Sequence, residues 1–150
     1  CLIDGAMIPL ARELFATTLD AFLLTGDIRE DPDNLNTADG RPAVQSCARA
    51  RLARSFCQCP QQWGEQQAQQ IAMQVKRAVT ALINNAITKV IHSMPEPPTH
   101  VMGTGAGAFL LHSLEHPLEV REWLPGKLAA VAPAYAVAKC LEQYLDRTLA

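Results

Sequence analysis

The sequence predicts a helix-rich α/β domain in which a few parallel strands are flanked by helices. Four long segments have apolar residues at helical spacing, whereas only two short segments have the pattern of buried strands. These strand segments, at about residues 100–104 and 118–123, lie on either side of a glycine-rich turn and a further helical segment. Strand, helix and strand in this order predict a right-handed parallel unit.

The first helical pattern covers residues 6–25, and Gly26 has the position of a helix-terminating glycine. Within this segment Glu13, Thr17 and Asp20 are spaced by four and three residues, so they share one face of the predicted helix. This polar stripe is either a solvated surface or the wall of a ligand cleft.

A polar loop over residues 27–41 leads to a second helix, which is predicted over residues 42–56. The loop is rich in aspartate but lacks the glycine and glutamate positions of a calcium-binding EF-hand, so no metal is predicted there. Asp39 is interpreted as a local cap or turn residue. Three arginines give the second helix a basic side that is expected to pair with the acidic loop: Arg49, Arg51 and Arg54.

The longest helical pattern covers residues 64–93 without an interrupting proline, which corresponds to roughly 40 Å of helix. Its glutamine-rich beginning, residues 65–70, is expected to be exposed, whereas its apolar second half is expected to pack across a sheet or along a partner. Asn84 and Asn85 lie in the apolar half, where they either cap or bridge groups inside the core or face a ligand cleft.

A proline-rich break, Pro95-Glu96-Pro97-Pro98, separates the long helix from the first predicted strand. The helix after the glycine-rich turn is predicted to end near Glu115. Pro125-Gly126 is expected to turn the chain after the second strand. The last helix is predicted over residues 134–145.

The 150-residue chain has a formal net charge of −2, with 49% hydrophobic and 19% charged residues, as expected for one soluble domain. No basic face indicates nucleic acid as a partner, and no apolar run is long enough to span a membrane. Five cysteines without a secretory signal are expected to be reduced thiols of a cytoplasmic protein. Because the chain begins at Cys1 inside an apolar pattern, it is expected to be a piece of a longer protein.

The central sequence feature is Gly103-Thr104-Gly105-Ala106-Gly107, which follows the first predicted strand. Three glycines at every second position leave the backbone uncovered, so that a ligand or another strand can approach closely. The amide groups at the start of a following helix would favour an anionic ligand. The spacing is neither the dinucleotide-binding fingerprint nor a phosphate-binding P-loop. The segment is therefore either a tight structural turn or a nucleotide- or substrate-binding turn.

The sequence contains no complete catalytic or metal-binding motif. The serine-hydrolase pattern G-x-S-x-G and the zinc-protease pattern H-E-x-x-H are both absent. Cys57 and Cys59 are too close together for a usual zinc site, and His112 and His116 lack a third ligand. We therefore predict no metal ligands, and the catalytic residues are expected to lie upstream of Cys1.

Four segments of the chain together resemble a known family. They are Leu14-Phe15-Ala16-Thr17-Thr18-Leu19-Asp20 with Leu24-Thr25-Gly26-Asp27; Thr37-Ala38-Asp39-Gly40-Arg41-Pro42 running into Ala50-Arg51-Leu52-Ala53-Arg54; Gly103-Thr104-Gly105-Ala106-Gly107 with Phe109-Leu110; and Val131-Ala132-Pro133-Ala134-Tyr135-Ala136-Val137-Ala138. In combination they resemble the C-terminal portion of the hydantoinase/oxoprolinase-like proteins linked to tetrahydromethanopterin-dependent C1 transfer. The resemblance covers nearly the whole chain.

This resemblance implies the fold of the sugar kinase, Hsp70 and actin superfamily, in which ATP lies between two RNase H-like lobes. Residues 1–150 would then form a single C-terminal lobe, and the missing partner would be the N-terminal lobe with its phosphate-binding hairpins. Residues 103–107 would correspond to the superfamily element that approaches the adenosine. Without the other lobe, this chain is expected to be inactive.

The resemblance also implies a transferase-type enzyme that makes a methanofuran-like (methylofuran) cofactor for C1 metabolism. Archaeal relatives are assigned to the joining of a furan-methyl diphosphate to a glutamyl-tyramine unit. The small-molecule ligands would be a diphosphate substrate or ATP with Mg²⁺, and a homodimer is possible. The alternative is a non-catalytic interaction module that docks through the long helix, residues 64–93.

Overall fold

The computed structural model describes residues 1–3, 5–115, 118–124 and 127–149 of the chain. The strands and helices are, in chain order, β1 (Leu2–Ile3), β2 (Ala6–Met7), α1 (Thr18–Leu24), α2 (Gln45–Ser55), α3 (Glu65–Ser93), β3 (His100–Gly103), β4 (Glu119–Glu122), α4 (Lys127–Ala130) and α5 (Ala132–Leu149). A 3₁₀ helix, Ala108–Ser113, lies between β3 and β4.

Contacts between residues divide the chain into two compact units, Cys1–Ala81 and Leu82–Ala150. The first unit contains the antiparallel pair β1–β2, and the second contains the parallel pair β3–β4. The turn expected at Pro125-Gly126 and the residue His116 lie outside the described residues.

The predicted helix-rich α/β class is confirmed, and so is the parallel strand pair. β3 and β4 lie within the two segments that the sequence pattern marks as strands. They run parallel, with Val101 opposite Val120 and Gly103 opposite Glu122. The carboxyl ends of both strands therefore meet at the same edge of this small sheet.

The predicted helix over residues 6–25 is wrong in its first half. β2 occupies the start of this segment and pairs with β1, and the helix begins only at Thr18. Pro9 explains the difference, because a proline inside a helix removes a backbone hydrogen bond and clashes with the preceding turn. The helix starts instead after Thr17, whose amide donates to Oδ2 of Asp20 at 2.8 Å, as in one half of a capping box.

Glu13, Thr17 and Asp20 therefore do not share a helix face, and this premise of the predicted cleft wall is wrong. Glu13 lies in the irregular segment before α1 and is exposed. Thr17 is the residue that precedes the first turn of α1. Asp20 lies within that turn, and its side chain is buried.

The end of α1 follows the prediction. Gly26 has a φ of +76°. Its N–H donates to the carbonyl of Leu23 at 3.2 Å, and the N–H of Asp27 donates to the carbonyl of Phe22 at 3.0 Å. These two bonds form a Schellman motif, in which a residue in the left-handed conformation satisfies the last carbonyl groups of a helix. Glycine adopts this conformation without the steric cost of a Cβ.

α2 ends with the same motif, but with a cysteine in the left-handed position. Cys57 has a φ of +55°. Its N–H donates to the carbonyl of Arg54 at 2.9 Å, and the N–H of Gln58 donates to the carbonyl of Ala53 at 3.0 Å. The backbone of Cys57 therefore adopts a left-handed conformation, which favours glycine because a Cβ is sterically unfavourable there.

α2 begins at Gln45, which is later than the predicted start near Pro42. The N–H of Gln45 donates to Oε1 of Glu30 at 2.6 Å, so a side chain from the loop satisfies one of the free amides at the start of the helix. Nε2 of Gln45 donates in turn to the carbonyl of Leu23 at 3.0 Å. This second bond ties the start of α2 to the end of α1.

The long third helix is confirmed, since α3 spans Glu65–Ser93. Its buried residues lie in the first half: Ala68, Ile71 and Ala72. Ala68 and Ile71 belong to the core that contains Trp63. In the apolar second half, Leu82 and Val90 are 69% and 58% exposed. This half is therefore largely uncovered, and its packing along a partner stays a prediction.

The second unit buries few side chains. Among its described residues, the buried hydrophobic ones are Leu110 and Leu111 of the 3₁₀ helix and Ala132 of α5. Oδ1 of Asn84 accepts the backbone N–H of Glu115 at 3.2 Å, so Asn84 does bridge two segments. The bond is exposed and so is Asn85, so the predicted place inside the core is wrong.

The C-terminal part of the chain contains more helical residues than the sequence pattern predicts. α5 extends beyond both ends of the predicted helix over residues 134–145, and the short α4 that precedes it was not predicted. Among the described residues, none of the helices combines the length and the hydropathy that a membrane span requires.

Candidate functional site

The glycine-rich segment forms a tight turn at the carboxyl end of β3. Gly105 has a φ of +94°, a conformation that side chains disfavour. The N–H of Ala108 donates to the carbonyl of Gly105 at 3.1 Å, and the N–H of Leu110 donates to the carbonyl of Gly107 at 3.0 Å. The turn thereby leads directly into the 3₁₀ helix.

This 3₁₀ helix replaces the longer helix that was predicted to end near Glu115. It spans Ala108–Ser113 and has only 6 residues. A segment this short offers little of the cumulative dipole by which a longer helix attracts anions. The proposal that the turn binds a ligand therefore depends on its open backbone.

Gly103 is a glycine because of packing inside the second unit. A Cβ built on Gly103 would lie 2.1 Å from Cδ1 of Leu111, which is far inside van der Waals contact. Leu111 is one of the buried residues of this unit. The side chain of Leu111 thus occupies the space that the missing Cβ leaves, on the face of β3 that Gly103 shares with Val101.

Gly105 and Gly107 differ from Gly103, because the space beside them is open. Among the described residues, a Cβ on Gly105 would meet only the carbonyl oxygen of Ala129 at 3.9 Å, and a Cβ on Gly107 would have none of their atoms within 4 Å. Thr104 and Ala106, between these glycines, are exposed. The backbone of residues 104–107 is therefore accessible to a ligand.

The turn lies beside the end of β4. The N–H of Trp123, the first residue after that strand, donates to the carbonyl of Gly103 at 2.9 Å. In open α/β sheets, ligands bind outside the carboxyl ends of the strands. The predicted residues 103–107 are thus brought to an edge where a ligand is expected, whereas Glu13, Thr17 and Asp20 belong to the first unit.

The first unit contains a buried ion-pair network that the sequence predicts only in part. Nε of Arg51 donates to Oδ1 of Asp20 at 2.7 Å, and Nη1 of Arg51 donates to Oδ1 of Asp39 at 2.9 Å. Pairing between the arginines of α2 and the acidic loop was predicted and is confirmed for Arg51 and Arg54. The pairing with Asp20 was missed, because nothing local in the sequence links α1 to α2.

Asp39 is the turn residue that was predicted, since its Oδ1 accepts the backbone N–H of Arg41 at 3.2 Å, but it is also the common acceptor of three guanidinium groups. Its Oδ2 lies 2.8 Å from Nη2 of Arg54 and 2.9 Å from Nε of Arg41, in addition to the bond from Arg51. Burial acts to raise the pKa of Asp39, but the hydrogen bonds from Arg54, Arg41 and Arg51 outweigh it and hold the pKa well below its usual range. The carboxylate therefore stays ionised at neutral pH.

Arg51 has one donor that is only partly satisfied. Nη2 lies 2.7 Å from Oδ1 of Asp20, but its N–H groups are not aligned for a hydrogen bond. Burial acts to lower the pKa of Arg51, whereas its hydrogen bonds to Asp20 and Asp39 outweigh burial and raise it. The network links residues 14–20, 37–42 and 50–54, which gives these segments a structural role.

A second ion pair joins the end of α1 to α3. Nζ of Lys76 lies 2.7 Å from Oδ1 of Asp27, and Oγ1 of Thr25 donates to Oδ2 of Asp27 at 2.5 Å. Burial acts to raise the pKa of Asp27, but the bonds from Lys76 and Thr25 outweigh it and lower the pKa. These contacts fix the turn that follows α1.

An apolar cavity of about 390 Å³ also lies in the first unit. Its wall is mostly aliphatic and includes Leu52, Ile71 and Val75, with Thr17 among its few polar groups. None of the described residues that line it is charged, so the cavity suits an apolar group better than a phosphate.

The described residues contain no cluster of three or more His, Cys, Asp or Glu side chains that could hold a metal ion. All five cysteines are free thiols: Cys1, Cys47, Cys57, Cys59 and Cys140.

Comparison with known proteins gives one family. The family model for hydantoinase/oxoprolinase matches residues 5–144, which is almost the entire chain. Among curated proteins, none matches the chain. The matched range contains both the ion-pair network of the first unit and the glycine turn of the second.

Proposed function

Because this chain belongs to the hydantoinase/oxoprolinase family, we propose that it is the C-terminal lobe of a two-lobe enzyme that binds a nucleotide or a diphosphate substrate. The proposed fold is that of the sugar kinase, Hsp70 and actin superfamily. Residues 103–107 contribute the adenosine-side or substrate-side wall of the cleft. The N-terminal lobe supplies the phosphate-binding hairpins.

One observation carries this proposal: the backbone of Gly105 and Gly107 is open at the carboxyl edge of a parallel strand pair. A Cβ at either position would come no closer than 3.9 Å to any atom in the part of the chain that the structure describes. Gly103 has a packing reason to be glycine, but these two positions border free space. Glycines that border free space allow a ligand to approach the backbone closely.

We propose a biosynthetic role in a tetrahydromethanopterin-linked C1 pathway, in the assembly of a methanofuran-like cofactor. The reaction joins a furan-methyl diphosphate to an amine. The amine nitrogen forms a bond to the methylene carbon, the bond from that carbon to the diphosphate oxygen breaks, and the nitrogen loses a proton. Mg²⁺ would neutralise the charge of the departing diphosphate. An ATP-dependent relative of this enzyme would use the same wall of the cleft for its nucleotide.

A thermal-shift measurement on the full-length gene product tests the proposal. Mg·ATP, furan-methyl diphosphate with Mg²⁺, and Mg·pyrophosphate are added separately. A ligand at one hundred times its Kd stabilises the folded state by about 2.7 kcal/mol, which raises the Tm. A rise with ATP or with the furan diphosphate supports the proposal and identifies the ligand class. If none of the three raises the Tm, the proposal is wrong.

A non-catalytic interaction module is the second candidate, and the exposed half of α3 favours it. Leu82 and Val90 leave apolar surface uncovered on a helix that is otherwise well formed. A second copy of the protein is the simplest occupant. In this case Leu82→Glu abolishes association in analytical ultracentrifugation, while the ligands above leave the Tm unchanged. Association that survives Leu82→Glu argues against this candidate.

A further inference from the structure

Trp123 is an exposed aromatic residue that the structure holds in a fixed place. It follows β4 directly, and its side chain is 41% exposed. Its N–H donates to the carbonyl of Gly103 at 2.9 Å. Its ring lies 6.2 Å from the ring of Tyr135, at an interplanar angle of 71°. The backbone bond and the edge-to-face contact together limit the positions that the indole can take.

The other tryptophan of the chain has an ordinary structural role. Trp63 is 5% exposed, belongs to the core of the first unit and packs against Phe56 at a centroid distance of 5.7 Å. Trp123 resembles it in having an aromatic neighbour but differs in its exposure. An indole that is held at one side and open to solvent on another is a surface on which a flat ring can stack.

The backbone of Trp123 lies next to the start of the glycine turn. Neighbouring strands are about 4.8 Å apart, and Trp123 is hydrogen-bonded to the last residue of β3. The accessible backbone at Gly105 and Gly107 begins two residues further on. Trp123 and the uncovered backbone of Gly105 and Gly107 therefore belong to the same short edge of the sheet.

We propose that Trp123 stacks on the flat heteroaromatic ring of the ligand that the glycine turn receives. This inference rests on the proposed function and adds a residue for ring recognition to it. A purine nucleotide and a furan-methyl diphosphate share the relevant chemistry, since each has a flat ring attached to a phosphate chain. Trp123 recognises the ring, whereas the phosphates are held elsewhere.

The test is calorimetric titration of the full-length gene product with three probes: Mg·ADP, furan-methyl diphosphate with Mg²⁺, and Mg·pyrophosphate, which lacks a ring. Trp123→Leu keeps an apolar side chain without a ring, and Trp123→Phe keeps an aromatic one. Tyr144→Leu removes another exposed aromatic residue of the same unit and is the matched control.

We expect Trp123→Leu to weaken binding of the ring-bearing ligand by about 5- to 150-fold, the range that loss of one stacking partner produces. Trp123→Phe retains most of the affinity, and Tyr144→Leu retains all of it. The affinity for pyrophosphate changes by less than about twofold in every variant, because stacking requires a ring. The site is a nucleotide site if Trp123→Leu weakens the binding of Mg·ADP, and a furan site if it weakens the binding of furan-methyl diphosphate.

Two results would overturn the role of Trp123 while leaving the proposed function intact. One is wild-type affinity of Trp123→Leu for the ring-bearing ligand, and the other is an equal loss of affinity for pyrophosphate. If the wild-type protein binds none of the three probes, the proposed function and this inference both fail. If Trp123→Leu does not fold, the test is ligand-induced quenching of tryptophan fluorescence in the wild type and in Trp123→Phe. If Trp123 stacks on the ligand, the quenching is lost in Trp123→Phe. Equal quenching in the two proteins refutes the inference.

Discussion

Arg51 and Asp20 form an ion pair that is closed to solvent, with side-chain exposures of 0% and 1%. Nε of the guanidinium donates to Oδ1 of the carboxylate at 2.7 Å, across 31 residues of sequence. Burying such charges costs free energy that only their mutual attraction and their further hydrogen bonds offset. The pair therefore joins the first turn of α1 to α2, and the loss of either partner would leave the other charge buried and unpaired.

Replacing Arg51 is expected to destabilise the protein strongly. Arg51→Leu leaves the carboxylate of Asp20 buried without its partner, and breaking a buried pair in this way costs about 3–5 kcal/mol. Urea denaturation monitored by circular dichroism measures the loss. Arg54→Leu is the matched control, because Arg54 is on the same helix and also bonds Asp39 but is 35% exposed. Its loss should stay near 1 kcal/mol. Equal losses in the two variants would contradict a special role for the buried pair.

Asp39 should make stability sensitive to acid. Its pKa in the folded state lies below the unfolded value of about 3.9, so in acid the unfolded state binds more protons than the native state. This contribution to stability is complete above about pH 5 and is lost as the pH falls towards the folded-state pKa. We expect the free energy of unfolding to fall less steeply between about pH 5 and pH 2 in Asp39→Asn than in the wild type. Denaturant titrations at a series of pH values measure both slopes, and parallel curves would refute the prediction.

Cys57→Gly is expected to stabilise the protein. Cys57 ends α2 with a φ of +55°, where a Cβ is unfavourable, so glycine should gain up to about 1 kcal/mol. Thermal unfolding measures the change. Cys57→Ala separates backbone conformation from thiol chemistry, because it keeps the Cβ and should give no gain. Gly26→Ala is the reverse change at the end of α1 and should cost about 1 kcal/mol. A stabilisation by Cys57→Ala as large as that by Cys57→Gly would show that the thiol, and not φ, is responsible.

Gly105→Ala is expected to reduce function more than stability. The added methyl group costs about 1 kcal/mol at a φ of +94°, but its nearest described neighbour is the carbonyl oxygen of Ala129 at 3.9 Å. It would project into the space that the proposed ligand occupies, so ligand affinity and turnover should fall further than the folded fraction does. Unfolding and activity are measured side by side on the full-length protein.

Gly103→Ala is the control for this prediction, because its methyl group would collide with Leu111 and lower stability by about 1–3 kcal/mol through overpacking. If Gly105→Ala loses stability while its folded fraction keeps normal affinity and turnover, the turn has a purely structural role.

The parts of the fold that follow from short sequence patterns were predictable. The proline-rich break, the glycine turn and two short apolar segments together indicated the parallel pair β3–β4. Gly26 marked the end of α1 correctly, because the Schellman motif depends on neighbouring residues only. The start of α1 was not predicted, since apolar spacing continued through Pro9 although a proline there disfavours a helix.

The features that depend on distant residues were not predictable. The pattern of three glycines did not reveal that Leu111 fills the space beside Gly103 and leaves Gly105 open, because that difference arises only when the 3₁₀ helix packs on β3. The partner of Arg51 on α1 was equally hidden. The indole of Trp123 packs against Tyr135, a residue of α5 that no local pattern connects to β4.

The closed pair of Arg51 and Asp20 also constrains how the gene can vary. A change at either position alone leaves the opposite charge buried without a partner. Each single variant is therefore expected to be less stable than both the starting sequence and a sequence in which an apolar pair replaces the ions. Replacement of the ion pair by an apolar pair is therefore expected to require substitutions at both positions. Descendants of this protein are expected to keep or lose the two residues together.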